Sequence, residues 1–108
     1  MLESTTAVGI DVFNEEQFLE ITWKDGIVSK YPLYGLRKNC PCVMCRGGHD
    51  KMQQFEPEAF FIEHPPRINI NTLLPIGNHA LQITWNDGHN SGMYRWDTLR
   101  WLDPKNHR

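Results

Sequence analysis

The chain contains the octapeptide Leu19-Glu20-Ile21-Thr22-Trp23-Lys24-Asp25-Gly26 and repeats it almost unchanged as Leu81-Gln82-Ile83-Thr84-Trp85-Asn86-Asp87-Gly88. The dipeptide Leu36-Arg37 is likewise repeated as Leu99-Arg100. In each octapeptide apolar Leu, Ile and Trp alternate with polar residues, which is the period of a strand that buries one face. Asp-Gly is a preferred dipeptide of two-residue hairpin turns, because both turn positions tolerate positive φ. The repeat therefore predicts two similar β-hairpins.

Segments outside the repeat add a few short elements. Ala7 to Phe13 alternates apolar and polar residues and is expected to pair with the first hairpin, while residues 68–76 read as a further strand. Tyr34 to Lys38 has the length of one helical turn. Asp97 is placed to cap a short helix over residues 96–102.

Length and composition indicate a small single domain over residues 1–108. The chain is 40% hydrophobic and 22% charged, as is usual for globular proteins. We predict an α+β fold dominated by antiparallel strands, with two similar β-hairpins, short helices and a Cys-rich metal-binding loop. A net charge of −2 does not provide the excess of positive charge that is typical of nucleic-acid-binding proteins. No apolar run approaches the roughly 18 residues needed to cross a bilayer.

The number of cysteines and the sequence of the N-terminus favour a cytoplasmic location for the protein. Three cysteines cannot all pair with one another, and small secreted disulfide scaffolds carry more of them. Residues 1–9 have neither the basic region nor the apolar region of a secretory signal. We therefore expect a cytoplasmic protein that binds neither nucleic acid nor membrane.

All three cysteines fall within the stretch Cys40-Pro41-Cys42-Val43-Met44-Cys45. Neighbouring thiolates repel one another unless a cation or a disulfide takes up their charge. The spacing from Cys42 to Cys45 is that of a metal-binding knuckle, and Pro41 favours a turn that brings Cys40 to the same centre. A tetrahedral zinc takes four ligands, so three cysteines leave one position to be filled.

Two histidines compete for that fourth position. His49 is local and lies four residues beyond Cys45 on a Gly-Gly loop. His89 follows the Asp-Gly of the second octapeptide, where the first copy has Ile27, and is carried by a hairpin. The residues alone favour neither. Three further histidines are expected to be structural or exposed, with the second of them in a strand: His64, His79 and His107.

These motifs together resemble the gamma-butyrobetaine hydroxylase-like N-terminal domain family, formerly a domain of unknown function. The resemblance covers about residues 15–102 and rests on Trp23 to Gly26, Leu36 to Cys45, and Trp85 to Tyr94 with Leu99-Arg100. In two-domain oxygenases of this family the module precedes the catalytic domain and holds a zinc through three Cys and one His. The resemblance implies four ligands and selects His89 over His49: Cys40, Cys42, Cys45 and His89.

The resemblance also implies what the chain lacks. The oxygenase activity of such proteins belongs to a separate domain with an iron site of two His and one carboxylate. This sequence has no His-x-Asp or His-x-Glu pair and no Gly-rich loop ending in Lys-Ser/Thr, the mark of the ATPases to which the module is also joined. We therefore expect a standalone bacterial-type member that is not an enzyme.

Three functions fit these features. The first is a zinc-binding module with a structural metal, acting as an adaptor or docking unit for a protein partner. The second is an accessory protein for iron–sulfur cluster or iron delivery and assembly, because three clustered thiolates suit a cluster that keeps one exchangeable corner. The third, an enzyme with a low-pKa cysteine, has little support, since no base–orienter pair can be placed beside one thiol.

The aromatic residues are candidates for the surface that contacts a protein partner. Six of them exceed what a small core needs, and they either pack within the hairpins or form a docking face: Tyr31, Tyr34, Trp85, Tyr94, Trp96 and Trp101.

Overall fold

Two three-stranded antiparallel sheets make up most of the fold in the computed structural model, which describes residues 4–42, 55–90 and 92–107. In each sheet the strands are ordered as they occur along the chain. The first sheet consists of β1 (Ala7–Phe13), β2 (Phe18–Trp23) and β3 (Val28–Pro32), and the second of β4 (Ile70–Ile76), β5 (Ala80–Trp85) and β6 (Met93–Arg95). The predicted α+β class with two antiparallel hairpins is confirmed.

A short helix follows the third strand of each sheet. Helix α1 spans Leu33–Lys38 and helix α2 spans Trp96–Leu102, and 3-10 turns lie at Pro57–Phe61 and Pro104–Asn106. Both halves of the molecule therefore run strand, strand, strand, helix. None of the helices in the described parts of the chain is long and apolar enough to cross a membrane.

The two halves also share their turn geometry. Trp23 N–H donates to Ile27 O at 2.8 Å, and Trp85 N–H donates to His89 O at 3.0 Å. The expected turn with Asp-Gly at its centre is wrong, however. Gly26 N–H donates to Trp23 O, so the two residues between them form the turn, and Gly26 follows with φ of +90°. This is the three-residue hairpin loop, in which the glycine alone needs positive φ.

The core lies where the buried faces of the two sheets and both helices meet. Alternate residues of β2 and β5 point into it, as their period predicts. The largest fully buried side chains are Trp23, Trp85, Tyr31, Tyr94, Leu19, Ile21, Leu33, Leu36, Leu81, Ile83, Leu99 and Leu102. Three of the six aromatic residues considered for a docking face are therefore core residues, whereas Trp101 is 52% exposed.

Reciprocal hydrogen bonds join the two halves. Tyr31 of β3 donates its hydroxyl proton to the carbonyl of Leu99 in α2, at 2.5 Å. Tyr94 of β6 donates in the same way to the carbonyl of Leu36 in α1, at 2.7 Å. Each half thus supplies the donor for the helix of the other half.

Several details of the expected elements differ. Helix α2 has Arg95 as its N-cap, so Asp97 lies in the first turn and does not cap the helix, because β6 leads directly into it. Strand β4 begins at Ile70, since the Gln17 side chain binds the backbone of Ile68 in place of a strand partner. His79 lies in the turn between β4 and β5, outside any strand.

Candidate metal centre

Two cysteine thiols and one imidazole meet between the halves of the molecule. Sγ of Cys40 lies 3.0 Å from Nε2 of His89, and Sγ of Cys42 lies 3.4 Å from the same nitrogen. The three potential ligand atoms all lie within 4.8 Å of one another. A tetrahedral zinc holds sulfur and nitrogen ligands about 3.5 Å apart, given bonds of about 2.3 Å and 2.0 Å. The cluster therefore has the dimensions of a metal site.

The end of α1 fixes the position of Cys40. Its N–H donates to the carbonyl of Arg37 at 3.2 Å and continues the last helical turn. The intervening Asn39 is fully buried and bonds in two directions. Its amide group donates to Gly35 O at 2.8 Å and to Glu56 O at 3.0 Å, while its oxygen accepts from Glu56 N–H at 2.6 Å. The cysteine segment therefore leaves the helix in a fixed direction.

The turn after β5 fixes the position of His89. The carbonyl of His89 accepts from Trp85 N–H at 3.0 Å, and its N–H donates to Oδ1 of Asp87 at 3.0 Å. Gly88 lies between them with φ of +86°, a conformation that side chains disfavour. Both backbone polar groups of the histidine are thus held by its own hairpin.

A glycine lets the second half approach the cysteines closely. A Cβ atom on Gly92 would overlap Sγ of Cys40 and lie 3.0 Å from Cδ of Pro41. Every other residue type would carry that atom, so the close approach depends on glycine. The corresponding residue of the first half is Ser29, which lies two positions before Tyr31 as Gly92 lies two positions before Tyr94.

Burial and charge favour the neutral imidazole. Cys40 is fully buried and Cys42 is 9% exposed. Burial lowers the pKa of His89, and the positive charge of Arg37 acts in the same direction, against the carboxylate of Asp87. A neutral imidazole keeps the lone pair that a metal ligand must supply.

The structure brings together three of the four residues that the resemblance implies: Cys40, Cys42 and His89. Cys45 and the competing candidate His49 lie outside the described residues. That Cys40, Cys42, Cys45 and His89 bind a metal stays a prediction.

The other described histidines lie outside this cluster. His64 and His79 are exposed, and His107 packs edge-on against Trp101 with ring centroids 4.6 Å apart. No potential ligand atom of these three belongs to the group formed by the cysteines and His89.

The residues that hold the ligands in place have no clear signal in the sequence. Asn39 looks like an ordinary loop residue because its partner, Glu56, lies 17 positions away. Gly92 and Asp87 lie within the motif from Trp85 to Tyr94, which does not single them out. Comparison of the two repeats offers a signal for Gly92, because the first repeat carries a side chain at the corresponding position.

A Cys–His contact of 3.0 Å is also the geometry of a nucleophile beside its base. His89 is therefore within reach of Cys40 as a base, while the expectation that no base–orienter pair can be placed beside a thiol stays a prediction. Its complete burial, and the approach of Gly92, leave the thiol no exposed surface for a substrate. The arrangement suits a bound ion better than an external substrate.

Solved structures similar to this chain support the fold. A crystal structure of a protein of unknown function from the DUF971 family of Acidithiobacillus ferrooxidans is 29% identical, covers 92% of this chain and 93% of its own, and has a TM-score of 0.67. An NMR solution structure is 25% identical, covers 95% of this chain and 71% of its own, and has a TM-score of 0.71. A second NMR structure, 19% identical over 97% of this chain and 77% of its own, shows the same fold with a TM-score of 0.65.

Family membership follows from the sequence match. Among proteins with curated descriptions, none matches the chain. The family described as gamma-butyrobetaine hydroxylase-like, N-terminal, matches residues 10–100, which include both octapeptides, the three cysteines and Leu99-Arg100. The chain therefore belongs to the gamma-butyrobetaine hydroxylase-like N-terminal domain family.

Proposed function

We propose that the protein is a small zinc-binding module whose metal has a structural role. The observation that carries the proposal is the convergence of Cys40, Cys42 and His89, which come from different halves of the molecule. A metal bound there would cross-link the end of α1 to the turn after β5. Such a bond would stabilise the fold directly, because ligands brought together only in the folded chain make metal binding part of the folding free energy.

Chain length allows Cys45 to complete the site. It lies three residues after Cys42, and three residues span at most about 10 Å when fully extended. With Cys45 the site would have four protein ligands. Four ligands close a tetrahedral zinc site and leave no position for substrate water, so the proposed role is structural and not catalytic.

We further propose that the module acts by docking to a protein partner in the cytoplasm. Apolar side chains exposed in the described parts of the chain would provide the contact surface. Phe61 and Ile62, each 45% exposed, border a groove of about 530 Å³ that Phe18 also lines. A rigid unit without catalytic activity would then act by binding within a larger assembly.

Elemental analysis of protein purified without air, with its ultraviolet-visible spectrum, tests the metal. We expect one zinc per chain and a colourless protein. NMR spectra should lose dispersion when a strong chelator removes the metal, and unchanged dispersion would count against a structural zinc. A brown protein containing iron and labile sulfide would instead support the alternative role in iron–sulfur cluster or iron delivery, which the same thiolates suit.

A further inference from the structure

One carboxylate connects the two sides of the candidate metal centre. Oδ1 of Asp87 accepts the His89 N–H at 3.0 Å, and Oδ2 of Asp87 accepts Nε–H of Arg37 at 3.1 Å. The carbonyl of Arg37 in turn accepts the Cys40 N–H at 3.2 Å. With Cys40 Sγ 3.0 Å from His89 Nε2, these contacts form a closed ring that passes through both candidate ligands.

The other half of the molecule contains the same arrangement without the ligands. Oδ1 of Asp25 accepts the Ile27 N–H at 3.2 Å, and Oδ2 of Asp25 lies 3.1 Å from a guanidinium nitrogen of Arg100. The carbonyl of Arg100 accepts the Asp103 N–H at 3.3 Å. Ile27 thus stands in the place of His89, and Asp103 stands in the place of Cys40.

The last contact differs between the two halves. In the half without ligands, Oδ2 of Asp103 accepts the hydroxyl proton of Ser29 at 2.5 Å, and the hydroxyl oxygen of Ser29 accepts the indole N–H of Trp23 at 2.8 Å. In that half, hydrogen bonds among Trp23, Ser29 and Asp103 occupy the place that the ligands take in the other half. In the half with the ligands, Gly92 replaces the serine and Cys40 Sγ fills the space beside it.

We infer that the Arg37–Asp87 pair is a positioning pair for the metal, whereas the matching Arg100–Asp25 pair serves the fold alone. The inference rests on the proposed metal-binding function. Asp87 fixes the backbone of His89, and Arg37 joins that carboxylate to the helix end from which the cysteine segment departs. The pair therefore sets the separation and relative direction of ligands that come from different halves. Residues that orient metal ligands without touching the metal change affinity markedly when they are removed.

Zinc affinity of matched variants tests the inference. Asp87→Ala and Asp25→Ala each remove a carboxylate that binds one arginine and one turn N–H. Competition with a chromophoric chelator should show that Asp87→Ala binds zinc about 10- to 100-fold more weakly, whereas Asp25→Ala stays within about threefold of the unsubstituted protein. Asp25 also accepts from Ser4 N–H, so its loss perturbs the fold at least as much. The circular dichroism spectrum of each zinc-loaded variant shows separately whether the fold is intact.

Cobalt substitution supplies a readout that stability alone would not change. The visible ligand-field bands of bound Co²⁺ should shift or weaken in Asp87→Ala and stay as in the unsubstituted protein in Asp25→Ala. Adding Arg37→Gln to Asp87→Ala should cost little further affinity, because the ring is already open. If either alanine variant fails to fold, the Asn variants at the same two positions replace them.

The outcomes separate the two proposals. Equal zinc affinity in all variants, or equal losses in both alanine variants, would overturn the positioning role while leaving the metal site intact. An unsubstituted protein that binds neither zinc nor cobalt would overturn the proposed function, and the inference with it.

Discussion

The hydroxyl of Tyr94 donates to the carbonyl of Leu36, 58 positions earlier in the chain, at 2.7 Å. Its counterpart Tyr31 donates to Leu99 across 68 positions. Burial raises the pKa of Tyr31 far above its ordinary value, so the phenol stays protonated and remains a donor. These two bonds fasten each helix to the opposite sheet.

Tyr94→Phe should destabilise the protein by about 0.5–1.5 kcal/mol, because it removes the shorter of two hydrogen bonds that the Leu36 carbonyl accepts, the other coming from Asn39 N–H at 3.2 Å. Tyr31→Phe should cost a similar amount, since it removes the reciprocal bond. Urea unfolding at pH 7 measures both. A neutral effect of either substitution would show that the carbonyl finds another donor and that the bond is dispensable.

His89→Ala should remove stoichiometric zinc binding, whereas His49→Ala should retain it. The reason is that His89 already presents Nε2 to both described thiols. Metal content after dialysis against limiting chelator distinguishes the two variants. The reverse pattern would assign the fourth ligand to His49. Cys45→Ser is expected to behave like Cys42→Ser, and normal zinc content in the Cys45 variant would remove that residue from the ligand set.

Gly92→Ala should weaken zinc binding and lower the melting temperature, because the new Cβ would overlap Sγ of Cys40. Gly9→Ala is the matched control. At Gly9 a Cβ would come no closer than 3.7 Å to Thr22, which is ordinary van der Waals contact. Competition with a chelator measures the zinc affinity, and thermal melts of the zinc-loaded variants measure the melting temperature. Equal behaviour of the two variants would show that the structure adjusts freely around the cysteine.

Stability should depend on pH through Asp25. The hydrogen bond from Arg100 is the main cause that holds the pKa of Asp25 below its ordinary value. A carboxylate with a lowered pKa stabilises the folded state above its unfolded-state pKa of about 3.9, and the contribution is lost as pH falls through the folded-state pKa. Asp25→Asn should therefore melt at a lower temperature than the unsubstituted protein at pH 7.

That difference in melting temperature should shrink as the pH falls below about 4. Zinc content is measured at each pH, and the variant and the unsubstituted protein are compared at equal zinc content, so that loss of bound metal in acid does not contribute to the difference. A difference that stays constant down to pH 3 would contradict the assignment to Asp25 ionisation.

The strands were predictable because their signal is local. Leu19, Ile21 and Trp23 alternate along β2, and nearly the same residues alternate along β5, so one pattern identified both hairpins and their buried faces. The turn type was not predictable from Asp-Gly alone, because the dipeptide fits both a two-residue loop and the loop observed. Which one forms depends on the alignment of the strands on either side.

The sequence predicted the residue types of the candidate site but not the residues that hold its ligands in place. Clustered cysteines and the departure of His89 from the repeat are visible in the sequence, and the family resemblance favoured that histidine. The bonds of Asn39 to Glu56 and of Arg37 to Asp87 join residues 17 and 50 positions apart. Such pairs become neighbours only when the chain folds, and the repeated motifs that contain Arg37 and Asp87 do not show that these two residues meet.

The reciprocal tyrosine bonds have the form of an isologous contact, the kind that two copies of one subunit make across a two-fold axis. In a homodimer every substitution occurs at both equivalent places. Here both places belong to one chain, so one can carry Cys40 and His89 while the other carries Asp103 and Ile27. Covalent connection of the halves is what allows this molecule to have a single, asymmetric ligand cluster on an otherwise nearly symmetric frame.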